Sequence, residues 1–166
     1  MNPSIDPLHF RRMLGYYASG ITVVCGLDSG EPLGFTCQSF HSVSLNPPLV
    51  SLSIMSTSKT WPRIRATGCF SVNILLEEQR DISDKFAKSG GDRWAGVRWE
   101  ATGAGNPKIL GLIVCLDCVH HAEYEAGDHI IAIGNVLDTC GPDQFFNRRT
   151  PLLFYQGPYH RIVEDT

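Results

Sequence analysis

Between Ile21 and Tyr155 the chain is a succession of short β-type runs punctuated by turn residues, and no helical period lasts beyond about three turns. Ile21–Cys25 is rich in β-branched residues, and Leu33–Phe40 returns after the turn Asp28-Ser29-Gly30. In Leu49–Met55, Val50, Leu52 and Ile54 alternate with Ser51 and Ser53, the period of a half-buried strand. Pro47-Pro48 stops any helix from running into it. Cys69–Leu75 reads as a further strand. Leu112–Tyr124 and Ile130–Leu137 read as two long strands around Glu125-Ala126-Gly127-Asp128, and a last strand lies at Leu152–Tyr155. Strands joined mostly by short turns imply a mainly β fold, an antiparallel barrel rather than a doubly wound sheet.

The helices are brief. Asp6 suits the cap and Pro7 the first turn of one that carries Phe10, Met13, Leu14 and Tyr17 at helical spacing. A second follows Ser58 to about Ala66 with Gly68 as its stop, and Glu77–Ala87 is a third, with Ile82 and Phe86 one turn apart. Residues 88–106, rich in Gly, Asp and Arg around Trp94 and Trp99, read as one long loop of the kind that forms lids. No repeat or linker interrupts the chain, so residues 1–166 are expected to form one domain.

A formal charge of −3 argues against a nucleic-acid-coating surface, and no apolar run is long enough for a membrane span. Met1–Asp6 carries no basic-then-apolar leader, so a cytoplasmic protein with reduced thiols is expected. Cys115 and Cys118 are three apart on a strand and His120 and His121 are adjacent on it. Each pair faces opposite ways, so no metal site is expected. Dinucleotide-fold, P-loop, zinc-protease and nucleophile-elbow motifs are all missing.

Three segments carry candidate chemistry. In Gly34–Pro48, Gly34 allows close approach to the backbone, and Thr36, Gln38 and Ser39 supply neutral donors and acceptors suited to a flavin edge. The same residues equally suit an ordinary edge strand. Ser53–Thr60 places small hydroxyls and Lys59 before a helix start, a good phosphate cradle or a plain serine cap. Gly127-Asp128-His129 sets an imidazole at a hairpin rim beside a carboxylate, for substrate positioning or simply exposed.

In combination these segments resemble the flavin reductase family with the split-barrel, Greek-key, FMN-binding fold. The likeness runs from Phe10 to about Ile162. It rests on Ser19–Val24, Gly34-x-Thr36-x-x-Ser39, Ser42–Leu49, Ser58-Lys59-Thr60, Phe70–Leu75, Phe86-Ala87, Gly127-Asp128-His129 and Pro151–Tyr155. The resemblance implies an NAD(P)H-dependent enzyme that reduces FMN or FAD and supplies the diffusible product to a partner monooxygenase. It implies a homodimer with flavin near the subunit interface. Gly34 and Thr36, Cys37, Gln38 and Ser39 would line the isoalloxazine ring, and Ser53, Ile54, Ser56, Ser58, Lys59 and Thr60 would reach the ribityl chain and phosphate. Asn73, Lys85, Phe86 and Ala87 would border the same pocket. His129 and Tyr155, helped by Arg12 and Arg93, would place the nicotinamide of NADH or NADPH, with His129 the catalytic residue. No compact arginine cluster argues for the 2′-phosphate of NADPH. A non-catalytic FMN-binding protein and a relative of the pyridoxamine-phosphate oxidases share this type of barrel; His129 and Tyr155 favour the reductase.

Overall fold

The computed structural model describes residues 5–141 and 149–163; residues 1–4, on which part of the leader reading rests, lie outside it. In chain order the elements are α1 (Pro7–Leu14), β1 (Ser19–Gly20), β2 (Thr22–Asp28), β3 (Glu31–Cys37), β4 (Phe40–Leu45) and β5 (Pro48–Met55). Then come α2 (Trp61–Ala66), β6 (Cys69–Ile74), a 3₁₀ turn (Glu77–Gln79) and α3 (Arg80–Ala87). The chain continues as β7 (Trp99–Ala101), β8 (Pro107–Ile109), β9 (Val114–Ala126), β10 (His129–Cys140), β11 (Leu153–Phe154) and β12 (Tyr159–His160).

Seven strands make one antiparallel sheet in the order β3-β2-β6-β9-β10-β5-β4. Its two edge strands, β3 and β4, are consecutive in the chain, and only Gln38 and Ser39 separate them. Such a link reaches about 10 Å, so the sheet must roll until its edges nearly meet. No ladder joins β3 to β4, and the barrel is split along that seam. After β2 to β5 have gone round, β6 returns to lie beside β2, a Greek-key crossing.

Alternation along the strands divides the apolar residues into two cores. The barrel interior holds Val24, Leu33, Cys37, Val50, Leu52, Ile54, Phe70, Val72, Cys118 and Ala132, with Trp61 and Ile64 of α2 packed into it. The second core lies on the outer face of β2, β6 and β9, where Val23, Cys25 and Cys115 meet Leu75, Phe86, Ile109, Leu112 and Leu152. Cys115 and Cys118 therefore do face opposite sides of β9, as their spacing predicts. Expelling this apolar surface from water is the main stabilising term.

Local signals act as expected at several points. The Asp6 carboxylate accepts from the backbone N–H groups of Leu8 and His9 and caps α1. The long hairpin closes on the two residues Gly127-Asp128, with Gly127 at φ +67°. Two expectations need correction. Residues 88–106 are not one structureless loop, because Trp99–Ala101 pairs with Pro107–Ile109 as a small hairpin. The third helix is also shorter than its periodicity suggests, since Glu77–Gln79 is a 3₁₀ turn that hands over to α3.

Candidate functional site

Ser53 of β5 and Ile131 of β10 face the outside of the barrel side by side, and Ser39, in the link between β3 and β4, lies on the other side of Ser53. The Ser53 N–H donates to the Ser39 carbonyl at 3.2 Å, and Ser53 lies opposite Ile131 in the β5–β10 ladder. Met55 and His129 are the next outward pair in that ladder. Because side chains two apart share a face, His129 is a diagonal neighbour of Ser53 at about 7–8 Å. Ile54, between Ser53 and Met55, points inward and is buried, so it belongs to the core rather than to this surface.

The hairpin turn is tied to the Ser56 loop. The Ser56 N–H and hydroxyl both donate to the Asp128 carbonyl, each at 3.0 Å. The Asp128 carboxyl stands 2.7 Å from His129 Nδ1, and that hydrogen bond holds it below the usual carboxylate range. A carboxylate only accepts, so Nδ1 is the donor in this bond, and in the neutral imidazole Nε2 is then the acceptor. Glycine, aspartate and histidine thus fix one ring in one orientation at the rim.

A second set of residues converges through Arg93. Its guanidinium donates to the Gly34 carbonyl at 2.8 Å and to the Thr60 hydroxyl at 3.2 Å, joining β3, the start of α2 and the loop after α3. Lys85 donates to the Ala95 carbonyl at 2.6 Å and holds the same loop. Between α3 and this loop lies a depression of about 360 Å³, bordered by Lys85, Lys88 and Arg93 and by Asp81, Asp84 and Asp92.

Several expected contacts have other occupations. A Cβ on Gly34 would stand 2.7 Å from the Phe86 ring, so the space above this glycine is filled by α3, not by a flat ligand. Phe86 itself is buried. The Thr36 hydroxyl donates to the Ser83 carbonyl at 2.7 Å, fastening β3 to the same helix, and the exposed Ala87 ends that helix. Cys37 points into the barrel, where burial pushes its thiol up to about 11. Asn73 is wholly buried. Its amide donates to the carbonyls of Val23 and Pro107, and its oxygen accepts from the Ile109 N–H, so it pins β8 to the sheet. Ser58 spends its hydroxyl accepting from the Trp61 N–H, and α2 has only six residues. The helix end is therefore a weak attractor for phosphate, which leaves Lys59 as the exposed cation of the loop.

Tyr155 and Arg12 stand elsewhere. Tyr155 follows β11, packs edge-on against Tyr16 at 6.4 Å and lies near His160. β11 lies in a separate small sheet with β1 and β12, next to the start of β2 where the Ile21 N–H donates to the Leu152 carbonyl, whereas His129 opens β10 at the opposite end of the large sheet. Arg12 is exposed on α1. No hydrogen bond or ring contact joins either to His129 among the described residues. Sequence reading also missed Ser83 and Tyr159. The Tyr159 hydroxyl meets the Ser83 hydroxyl at 2.9 Å and donates to Asp84 at 2.8 Å, tying β12 to α3. A lone tyrosine four residues beyond Tyr155 carries no spacing signal that would have revealed this.

The donor set left over fits a flavin. Gln38, Ser39, Ser53, Thr57 and Lys59 have no side-chain partner among the described residues, and all are at least partly exposed. They offer neutral donors and acceptors plus one cation, beside the apolar Ile131 and the 59% exposed Met55.

Residues 13–163 match the family described as flavin reductase like domain. The chain is 38% identical over 162 residues to the reductase subunit HsaB of a flavin-dependent monooxygenase from Rhodococcus jostii, covering 98% of this chain and 81% of that protein. It is 35% identical to an NADH-dependent flavin reductase from a Rhodococcus species, covering 98% and 90%. The solved NADH:FAD oxidoreductase SgcE6 of Streptomyces globisporus, in complex with NAD and FAD fragments, superposes with a TM-score of 0.89 at 34% identity, covering 98% of both chains. The rolled sheet, the donor row outside it and these likenesses agree: the chain belongs to the flavin reductase family, as an NAD(P)H-dependent flavin reductase of the kind that serves two-component monooxygenases.

Proposed function

We propose that the flavin ring lies on the outer face of β5 and β10, above Ser39, Ser53 and Ile131, and that His129 positions the nicotinamide over it. The observation that carries this reading is the diagonal placement of His129 beside Ser53, among side-chain donors that have no partner among the described residues. Gln38, Ser39 and Ser53 hydrogen-bond the polar edge of the ring. Thr57 and Lys59 hold the phosphate end, Lys59 by charge. The bound flavin supplies the chemistry by accepting a hydride from the reduced nicotinamide. His129 Nε2 accepts from the carboxamide of the hydride donor while Asp128 keeps the imidazole from turning. Arg93 holds Gly34, Thr60 and the loop after α3 together, so it acts by positioning.

Either FMN or FAD, and either NADH or NADPH, suits this site. The product leaves for a partner oxygenase, and the exposure of the donor row supports such release. We further propose a homodimer in the cytoplasm. The helix α1 buries none of its residues, and Leu8, Phe10, Met13 and Leu14 on it are exposed, an apolar face that a second copy would cover. His129 and Tyr155 stand at opposite ends of the sheet, so a nicotinamide touched by both would need two chains. Among the described residues no helix is long and apolar enough to cross a membrane.

Mixing purified protein with NADH or NADPH and free FMN or FAD tests the reading directly. Flavin-dependent loss of nicotinamide absorbance above the uncatalysed rate is expected. Tight flavin binding without turnover would instead favour a non-catalytic flavin carrier.

A further inference from the structure

We propose that Cys115 and Cys140 form a redox-reactive dithiol that hydrogen peroxide closes to an intramolecular disulfide. The two residues are direct partners in the antiparallel β9–β10 ladder. Such partners project to the same face with Cα atoms about 4.5–5.5 Å apart. That separation falls inside the roughly 4.4–6.8 Å range that a disulfide spans. Both side chains join the outer core, Cys115 buried and Cys140 half-buried against it.

The other thiols are excluded by position. Cys25 lies on β2, and β6 separates β2 from β9. Strands two apart stand about 9.5 Å from each other, beyond the roughly 7 Å limit for bridging. Cys37 and Cys118 face the barrel interior, and Cys69 opposes Val119. Only Cys140 is within reach of Cys115.

Access is also unequal. Cys140 lines a depression of about 200 Å³ together with Lys108 and Arg149, room enough for a peroxide molecule. Burial pushes the Cys115 thiol up to about 12, so Cys140 meets the oxidant and Cys115 resolves it. Lys108 borders the same depression with its ammonium paired to the Glu100 carboxylate, so the wall beside Cys140 is polar and open to a small hydrophilic oxidant.

The chemistry balances in two steps. The Cys140 thiolate attacks one peroxide oxygen; an S–O bond forms, the O–O bond breaks, and the departing hydroxide takes a proton to become water. The Cys115 sulfur then attacks the Cys140 sulfur; the S–S bond forms, and the hydroxyl leaves with the Cys115 proton as a second water. Two thiols and one peroxide become a disulfide and two waters. Reduced flavin that no oxygenase consumes reacts with dioxygen to give that peroxide. This source rests on the flavin reductase activity, whereas the thiol chemistry does not.

The test uses the full chain, reduced, freed of reductant and treated with excess peroxide without flavin or nicotinamide. Alkylation, intact mass and non-reducing peptide mapping follow. The expected result is the loss of two hydrogen masses, a single Cys115–Cys140 cross-linked peptide, and its reversal by dithiothreitol. Cys140→Ser should lose the cross-link. Cys115→Ser should stop at a sulfenic acid on Cys140, trapped by dimedone. A bond through any other cysteine, or six alkylatable thiols surviving in the wild type, overturns the proposal, and because these are read on the wild-type chain they hold even if a variant folds poorly.

Discussion

The outer surface of one rolled sheet is used in two opposite ways. Over β3, β2 and β6 it is roofed, with Phe86 against Gly34, Ser83 bonded to Thr36, and Ile109 and Leu112 completing a second core. Over β5 and β10 it is bare, with Ser53, Met55 and His129 facing outward and no layer above them among the described residues. The strands of both regions have similar inward faces, so the barrel interior does not tell them apart. What differs is whether the outward positions are apolar and covered, or polar and left for something else. A donor that the protein satisfies holds the fold, and a donor it leaves alone is available to a ligand.

Substitutions on the two sides should therefore separate stability from activity. Phe86→Ala on the roofed side empties a fully buried site and should cost about 3–5 kcal/mol of stability. A thermal melt checks it, and Ser53→Ala on the bare side should leave the melting temperature nearly unchanged. Equal melting losses would erase the contrast. His129→Ala should lower kcat/KM for the nicotinamide by about one to two orders of magnitude, the value of one positioning contact of about 1.5–3 kcal/mol, with flavin affinity and melting temperature kept. Single-turnover reduction on the same sample measures this, and an unchanged rate would remove His129 from the site.

Lys59→Ala should weaken FMN about tenfold and riboflavin hardly at all. A fluorescence titration with both ligands decides it; equal losses would show that no phosphate sits there. The smallest effect concerns pH. Although partial burial opposes it, hydrogen bonds from Arg65 and Trp61 hold the Glu123 carboxyl below its ordinary value. Its stabilisation is complete above the unfolded carboxyl's value and is lost as pH falls through the lowered folded one. Glu123→Gln should thus lower the melting temperature slightly near neutrality, where the carboxylate's contribution is complete, and flatten the acid limb of melting temperature against pH; a curve matching the wild type would show that these contacts contribute nothing.

Much of this architecture was readable from residue patterns. Val50, Leu52 and Ile54 alternating with serines gave both the strand and which side of it is wet, and Asp6, Gly68 and Gly127 marked ends and turns. The family resemblance is borne out by the fold and by the relatives. What stayed hidden depends on contacts far apart in sequence. Gly34 reads as a gap for a ligand until α3 is seen filling it. Asn73 reads as a polar site residue until its amide is found spent on Val23 and Pro107, 50 and 34 positions away. Periodicity says which side of a strand a residue faces, but not what arrives to cover it.

The open seam between β3 and β4 has a consequence for how the protein survives at high concentration. Unpaired strand edges are templates for other chains, and this barrel keeps two of them. Each carries its own obstruction. On β3 the Gly34 carbonyl is plugged by the Arg93 guanidinium, which no incoming strand can displace without burying a charge. On β4 the ladder is interrupted between Ser42 and Ser44, and the extra residue, Val43, bends the edge out of register with any flat partner. Loss of Arg93 would then expose a sticky border as well as loosen the loop. Its first visible symptom should be turbidity on standing, at temperatures where the native signal is still intact.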